Sequence, residues 1–269
     1  MSSKEIAIAM SEHYSESLQH FENKNIVGLW LQGSQNYGLD LPGSDVDTKL
    51  IVVPTLEDIA RNRKPVSTTH IRANEEHIDF KDVRLYIQLF RKQNLNFVEI
   101  LFSDYWIINP IYMSSWAELV KNRDAIARMN PNRAIHSMAG IAEQKYVALE
   151  HHYPSKVEVL AKYGYDPKQL HHLRRIDKFT EDYIAGKTYL TCMRPEGEWK
   201  KHLLDIKAGV YSLQEARDLA NESRDHIDRM VKEFDKSHPE EEDKTMVELL
   251  NEVQYEIIKT AIKEELKNG

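Results

Sequence analysis

Residues 26–53, IVGLWLQGSQNYGLDLPGSDVDTKLIVV, decide the fold. The stretch begins and ends with apolar runs, residues 26–31 and 50–53, which predict two buried strands. Between them lie a turn formed by Gly33 and Ser34 and, further on, the tripeptide Asp45-Val46-Asp47. The sequence therefore predicts a strand, a glycine-containing turn, a short loop and a second strand that opens with two alternating carboxylates.

The two aspartates are spaced so that they can act together. Side chains two positions apart on a strand point to the same face, with Cα atoms about 6.5–7 Å apart, so Asp45 and Asp47 are directed to one place. Asp79, in a later stretch of alternating polar and apolar residues, is the expected third carboxylate. Carboxylate oxygens are the ligands that Mg²⁺ prefers. We therefore predict that Asp45, Asp47 and Asp79 hold two Mg²⁺ ions, for which Mn²⁺ is an alternative.

Neither part of this pattern is diagnostic by itself. An isolated Asp-x-Asp is common, and Gly-Ser after a strand is usually only a turn. Together, with Gly43 just before the aspartates, they favour phosphoryl or nucleotidyl transfer, in which two metal ions about 3.5–4 Å apart clamp the attacking and leaving oxygens. Asp40 and Asp82 are assigned ordinary roles in loop solvation and helix capping.

Three carboxylates directed to one place repel one another when no metal is bound. Two unit charges 4 Å apart interact by about 4 kcal/mol at an effective dielectric constant of about 20. The metal-free site is therefore expected either to raise the pKa of a carboxylate or to hold a cation.

The composition excludes several classes of protein. A hydrophobic share of 41% and a charged share of 29% argue against global disorder, and no apolar run approaches the roughly 20 residues that span a bilayer. A single cysteine, Cys192, excludes an intrachain disulfide. The N-terminal residues carry an acid, Glu5, and no long apolar core, which argues against a secretory signal, so a cytoplasmic location is expected. The net charge of −7 disfavours coating of nucleic acid, but residues 61–64 or Arg174 and Arg175 could form a local basic patch for RNA or an ordinary solvated surface.

The chain changes character near residue 110. Before it, strand patterns alternate with helices, and Asp82 is placed to cap one of them. After it, every segment is best interpreted as helix. Helix starts are predicted at Asn130-Pro131, at Asp166-Pro167 and at the capping box Ser212-Leu213-Gln214-Glu215, and a last helix is predicted from Leu250, Val253, Ile257 and Ala261. We predict a small α/β domain over residues 1–110 and an all-helical domain over residues 111–269.

Several of these stretches resemble a known family. The Gly33-Ser34 turn, residues 43–47 and the Asp79 strand are similar to the DNA polymerase β superfamily of nucleotidyltransferases. Residues 33–39, 94–101 and 164–175 resemble its branch called the RNA repair pathway DNA polymerase β family, and the resemblance extends over residues 26–215. Leu95 stands where proline is commoner in that branch, and Thr48 stands where the superfamily usually has a hydrophobic residue.

The resemblance implies an α+β fold of the polymerase-β type, a mixed sheet flanked by helices and followed by an all-helical domain. It also implies Mg²⁺-dependent transfer of a nucleoside monophosphate with release of pyrophosphate, and a place in RNA repair. Gly33, Ser34 and Tyr37 are the expected nucleotide-binding residues of the turn motif. ATP is the expected nucleoside triphosphate.

Residues of the second domain complete the predicted nucleotide site. Lys168, His172 and Arg175 are spaced i, i+4 and i+7, which places three basic groups on one helix face. A solvated face neutralised by nearby acids explains the same spacing, and the resemblance favours phosphate binding.

Two classes of function therefore stay open. The first is an enzyme that transfers a nucleoside monophosphate to a hydroxyl of RNA, of a protein or of a small molecule. The second is a non-catalytic, nucleotide-binding or antitoxin-like module with the same fold. The sequence specifies neither the base nor the acceptor nor the oligomeric state, because pocket residues without a motif select them.

Overall fold

A mixed sheet of five strands organises the first part of the chain in the computed structural model, which describes residues 2–267. The strands are β1 (Ile26–Gln32), β2 (Asp47–Val52), β3 (Ser67–Ile71), β4 (His77–Asp82) and β5 (Trp106–Ile108). Their order is β3-β4-β2-β1-β5; β2 and β4 run parallel, and the other neighbouring pairs run antiparallel. The predicted α+β class and mixed sheet are thus confirmed.

Helices make up most of the remaining chain. They are α1 (Ser3–Ser17), α2 (Ser34–Tyr37), α3 (Leu56–Ala60), α4 (Val83–Arg91), α5 (Leu95–Val98), α6 (Met113–Lys121), α7 (Arg123–Ile126), α8 (Pro131–Ala148), α9 (Val157–Tyr163), α10 (Pro167–Ile184), α11 (Tyr189–Met193), α12 (Gly197–Lys207), α13 (Leu213–Asp235) and α14 (Lys244–Lys267). Short 3₁₀ helices cover Asn23–Asn25, Glu99–Phe102, Pro110–Tyr112 and Pro154–Lys156. Within residues 2–267, no helix combines the length and the apolar character needed to cross a bilayer.

One face of the sheet is apolar and is covered by α1. Ile6 and Met10 of α1 pack against apolar side chains of the central strands, including Leu29, Leu50 and Ile78. This face buries the alternate residues of β2 and β4, so their intervening residues must point to the opposite face. Polar side chains on those strands are thereby gathered on one side of the sheet.

The structure divides into two compact units. The sheet unit contains the chain up to Met129 together with the chain from Glu242 onward, and the helical unit is Asn130–Glu241. These bounds differ from the predicted domains, which ended the first domain at residue 110 and assigned the last helix to the second. The reason lies in α14, whose apolar residues are buried in the sheet unit against α4 and α6.

The helical unit is built around α10. This helix packs against α8, α12 and α13, so nearly its whole circumference is buried. Its buried polar residues include His171, Arg174 and Asp177. Such groups must find partners inside the unit, because burial of an unpaired charge is costly.

Candidate active site

The turn after β1 depends on glycine. Gly33 has φ +96° and ψ −157°, a conformation that is essentially restricted to glycine. It is followed at once by the short helix α2, which begins at Ser34. The side-chain amide of Gln35 donates to the backbone carbonyl of Asp45 at 2.6 Å. The glycine turn is therefore tied directly to the loop that carries the first predicted carboxylate.

The turn is also anchored from the interior of the sheet unit. Asn36 donates to the carbonyl of Leu31 at 2.6 Å and accepts from the hydroxyl of Ser103 at 2.8 Å. Tyr37 is only 4% exposed, and its hydroxyl donates to the buried carboxylate of Glu99. Of the three predicted turn residues, Gly33 and Ser34 lie at the partly exposed turn, whereas Tyr37 supports it from inside the fold.

The predicted carboxylates lie on the polar face of the sheet or in the loop next to it. Asp47 is the first residue of β2, and Asp45 lies in the exposed loop just before it. In the parallel pairing of β2 and β4, Lys49 is opposite Asp79, which puts Asp79 on the same face as Asp47. Asp47 also accepts from the backbone N–H of His77 at 3.0 Å, and the His77 ring lies 3.1 Å from the same oxygen.

The carboxylate oxygens at this place suit a hard cation, but the side chains do not surround a metal position. Carboxylates from neighbouring strands, partly open to solvent, are typical Mg²⁺ ligands, with water and substrate oxygens filling the other positions. Among residues 2–267, no three His, Cys, Asp or Glu side chains are grouped closely enough to hold a metal ion. The strand register thus gathers Asp47 and Asp79 on one face, while Asp45 stays on the flanking loop.

Two lysines lie near these carboxylates. Lys49 is buried on the same face, with its ammonium 4.1 Å from the centre of the Phe97 ring. Burial lowers the pKa of Lys49, and the negative charges of Glu99 and Asp79 oppose that change. The ammonium of Lys81 lies 3.7 Å from Asp79. Positive charge from Lys49 and Lys81 therefore lies close to Asp79.

A second set of contacts holds the aspartate segment from the α1 side. Glu76 accepts from the backbone N–H of Val46 at 3.2 Å, between the two aspartates of the motif. The other oxygen of Glu76 receives Arg72 at 2.6 Å and lies 3.0 Å from Nε2 of His13. The Nδ1 atom of His13 lies 2.8 Å from the hydroxyl of Thr48. We call Glu76, Arg72, His13 and Thr48 the aspartate support.

The protonation of the aspartate support follows from its chemistry. Burial lowers the pKa of His13, so its ring is neutral near pH 7. An ionised Glu76 can only accept, so Nε2 of His13 carries the proton and Nδ1 accepts from Thr48. Burial raises the pKa of Glu76, but hydrogen bonds from His13 and Asn74 outweigh it and keep that pKa below its usual value. Thr48, a departure from the superfamily pattern, thus has a specific partner.

Sequence reasoning missed the support and the buried charges near the aspartates. His13 and Glu76 come together only through folding, and nothing in their local sequence distinguishes them from surface residues. Glu99 and Lys49 carried a weak signal, because each is a charged residue inside an apolar run. A buried charge in such a run requires compensation: the negative charge of Glu99 favours the charged form of Lys49, and Glu99 accepts from the Tyr37 hydroxyl.

The helical unit places the three predicted basic residues on α10. Lys168 is exposed and Arg175 is buried, at opposite ends of the i, i+7 spacing. Lys145 of α8 belongs to the same group: burial lowers its pKa, and the positive charges of Lys168 and Arg175 lower it further. Burial and Arg175 lower the pKa of His172 well below its usual value, so His172 contributes a neutral ring. The cationic face therefore consists of Lys145, Lys168 and Arg175.

Within the two basic patches considered for RNA, Arg61, Arg63 and Arg174 have partners in their own units. Arg61 pairs with Glu57 at 2.8 Å, and Arg63 pairs with Glu57 and Asp58 at 2.8 and 3.1 Å. Arg174 is buried between Glu222 and the Trp199 ring. For residues 61–64, these contacts favour a solvated charged surface over an open basic patch.

A mixed sheet with a glycine turn after its first strand and aspartates on two parallel neighbours defines a polymerase-β-type nucleotidyltransferase class. A sequence profile of the RNA repair pathway DNA polymerase beta family matches residues 10–256, and the chain belongs to that family. The resemblance noted from the motifs is thereby confirmed.

The other comparisons give less. A crystal structure of a nucleotidyltransferase-like protein from Exiguobacterium sibiricum 255-15 is similar at 10% sequence identity and a TM-score of 0.27, covering 85% of this chain and 75% of that one. Among curated proteins, no significant match is found.

Proposed function

We propose that this protein is a Mg²⁺-dependent nucleotidyltransferase that moves a nucleoside monophosphate from a nucleoside triphosphate, ATP in the first instance, to an acceptor hydroxyl at an RNA end. Membership of the RNA repair pathway DNA polymerase beta family supports both the reaction class and the choice of acceptor. Mn²⁺ is the expected alternative ion.

The strand register is the observation that carries this proposal. It puts Asp47 and Asp79 on one face of parallel neighbours, and Gln35 ties the glycine turn to the backbone of Asp45. These contacts support a site in the sheet unit where N–H groups of the turn bind phosphate and the nearby carboxylates bind metal. Asp45, Asp47 and Asp79 would hold Mg²⁺, which when bound neutralises the phosphates and lowers the pKa of the acceptor hydroxyl.

The reaction is an in-line displacement. The acceptor oxygen forms a bond to the α-phosphorus, the bond from that phosphorus to the bridging oxygen of the β-phosphate breaks, and pyrophosphate leaves with the bonding electrons. The proton of the acceptor hydroxyl passes to Asp79, which acts as general base and returns it to solvent. Backbone N–H groups at Gly33 and the hydroxyl of Ser34 bind the terminal phosphates.

The remaining predicted residues either bind the phosphates or stabilise the turn. Lys168 and Arg175, with Lys145 beside them, attract the phosphates of the triphosphate or of RNA, and neutral His172 offers a hydrogen bond rather than a charge. Tyr37 supports the turn from inside the fold through its bond to Glu99.

The test is incorporation of label from each α-labelled triphosphate with Mg²⁺, offered with RNA, with protein and with no acceptor. We expect label in RNA only. Asp47→Asn should reduce transfer by about 100-fold or more, because one of the metal-binding carboxylates is lost. Asp40→Asn makes the same change in the segment that precedes β2 and should leave transfer unchanged.

The other outcomes discriminate between the alternatives. Label in protein or in a small molecule would overturn the RNA acceptor while keeping the reaction. Equal transfer by wild type and Asp47→Asn would overturn the assignment of the site.

One observation favours a second candidate function, a nucleotide-binding module without transfer. The described carboxylates do not close around a metal position, so the fold could bind a nucleotide through the turn alone. Thermal unfolding shifted by nucleotide, with no pyrophosphate released in the presence of Mg²⁺ and acceptor, would establish this alternative.

A further inference from the structure

Strand β3 lies beside the candidate active site, and the reaction proposed above uses no residue of it. It is an edge strand, and within residues 2–267 it pairs with β4 alone. In this antiparallel pairing Thr69 is opposite Asp79, and Ile71 is opposite His77. Side chains of directly opposite residues share one face of a sheet. Thr69 and Ile71, which are both exposed, therefore belong to the same face as Asp79, and we call them the β3 surface.

Contacts on both faces of the sheet support this assignment. On the polar face, the ammonium of Lys81 donates to the hydroxyl of Ser67 at 2.9 Å. On the other face, the rings of His70 and Phe80 are stacked, with their centres 6.0 Å apart. Alternate residues of β3 thus point to opposite faces, as the pleat of a strand requires.

The order of the strands gives the β3 surface a place in the proposed reaction. The order across the sheet is β3-β4-β2-β1, with the glycine turn after β1, Asp47 at the start of β2 and Asp79 on β4. In an in-line displacement, the entering and leaving oxygens lie on opposite sides of the α-phosphorus. When the turn on the β1 side holds the leaving pyrophosphate, the acceptor enters from the side of β4 and β3. The β3 surface is then the neighbour that an acceptor meets beside Asp79.

We propose that the β3 surface binds the terminal nucleotide of an RNA acceptor, with the Thr69 hydroxyl bonded to the ribose 2′-hydroxyl next to the reacting 3′-hydroxyl. This inference rests on the proposed function, in which Asp79 takes the proton of the reacting hydroxyl. Opposite residues such as Thr69 and Asp79 have Cβ atoms about 4.5–5.5 Å apart, so hydroxyls on adjacent ribose carbons can reach both side chains. Ile71, which is 64% exposed, offers an apolar contact to the sugar or base.

Thr69→Val removes the hydroxyl with little change in shape. The assay is transfer of label from α-labelled ATP to an oligoribonucleotide and to the same oligonucleotide with a 2′-deoxy terminal nucleotide. The 2′-hydroxyl is the group by which a protein distinguishes RNA from DNA. In Thr69→Val, KM for the RNA acceptor should rise about fivefold, because one hydrogen bond is lost. KM for ATP, KM for the 2′-deoxy acceptor and kcat should stay unchanged.

Thr68→Val is the matched control for this substitution. It makes the same change one position earlier in β3, at an exposed residue whose partner, Phe80, belongs to the opposite face of the sheet. All of its kinetic constants should match those of the wild type. Thermal unfolding first establishes that both variants are folded.

A binding assay tests the β3 surface without the reaction. Fluorescence anisotropy measures the affinity for a labelled oligoribonucleotide at low salt. Ile71→Asp adds a negative charge to the surface and should weaken binding about fivefold, because it repels the phosphates. Ile8→Asp makes the same change at an exposed position of α1, which covers the opposite face, and should leave affinity unchanged. Thr69→Val should weaken binding in this assay, and Thr68→Val should not.

The outcomes separate this inference from the proposed function. If the wild type labels RNA and Thr69→Val behaves like Thr68→Val, the role of Thr69 is overturned and the reaction stands. An equal rise in KM for the RNA and 2′-deoxy acceptors would contradict recognition of the 2′-hydroxyl. If the wild type labels no RNA, the proposed function is overturned and the binding assay decides. Weaker binding by Thr69→Val and Ile71→Asp alone then supports the β3 surface, whereas no binding, or equal binding by all variants, overturns it.

Discussion

At the scale of single residues, backbone conformation at Gly33 and charge at Lys49 define the candidate active site. Gly33 adopts a conformation that other residues avoid, although a Cβ there would meet only Gln35, at 3.8 Å. The requirement for glycine is therefore conformational rather than steric. Lys49 places a buried ammonium within the electrostatic influence of Glu99 and Asp79.

We predict that Gly33→Ala lowers the free energy of unfolding by about 2 kcal/mol and weakens nucleotide binding, because alanine strains this backbone. Gly140→Ala is the matched control. It lies at an exposed position of α8 where a Cβ meets no atom within 4 Å, and it should stabilise the protein by about 0.5–1 kcal/mol. Urea unfolding measures both, and a neutral Gly33→Ala would contradict the conformational argument.

Lys49→Met should destabilise the sheet unit by about 3 kcal/mol. The substitution removes the buried cation that faces Glu99 and Asp79 and leaves their negative charges uncompensated. Lys121→Met, at an exposed position of α6, should change the free energy of unfolding by less than about 1 kcal/mol. Similar unfolding midpoints for the two variants in denaturant would show that Lys49 does not balance the site.

At the scale of elements, the helices begin where capping residues in the sequence predict them to begin. Asn130 and Asp166 cap α8 and α10 by accepting from backbone N–H groups at 2.9 Å, and Ser212 with Glu215 forms the predicted capping box of α13. These contacts depend on neighbours in the chain, which is why the sequence alone predicts them. The aspartate support is different, because it joins α1, β2 and the β3–β4 connection.

Glu76→Gln should raise the Mg²⁺ concentration needed for half-maximal transfer by about tenfold. The neutral amide cannot accept from Val46, Arg72 and His13 together, so the segment that carries Asp45 and Asp47 loses its fixed position. The adjacent Glu75→Gln is the control. A fall in maximal rate without any change in Mg²⁺ dependence would show that Glu76 acts on general stability instead of positioning the aspartates.

At the scale of the whole molecule, a buried histidine of the helical unit makes the stability of the protein depend on pH. In the helical unit, burial lowers the pKa of His171 to about 4, and its Nδ1 lies 2.9 Å from the carbonyl oxygen of Leu203. The unfolded chain has an ordinary histidine pKa of about 6.5, so it binds a proton before the folded state does. The stability associated with neutral His171 is therefore complete above about pH 6.5 and is lost as the pH falls towards 4.

We predict that His171→Asn reduces the loss of stability at acidic pH. Asparagine keeps an N–H donor for the Leu203 carbonyl but does not titrate, and it should remove up to about 3 kcal/mol of the stability change between pH 6.5 and pH 4. His152→Asn, at an exposed position, should leave that loss unchanged. Unfolding free energies measured in denaturant across this range test the difference, and parallel curves for all three proteins would contradict it.

The sequence by itself determined the secondary-structure elements and which of them carry the candidate site residues. Apolar runs, turn residues and caps are read from neighbours a few positions away, so β1, β2, β4 and the long helices could be predicted, as could the glycine turn and Asp47 with Asp79 as site candidates. Their roles in transfer stay a prediction.

Only the tertiary structure decided which distant residues meet. It assigned α14 to the sheet unit, supported the aspartates with His13 and Glu76, and buried Tyr37 and Arg174. The physical reason is that these contacts join residues far apart in the chain, and their partners are selected by the packing of whole faces. No local pattern in the sequence records that selection.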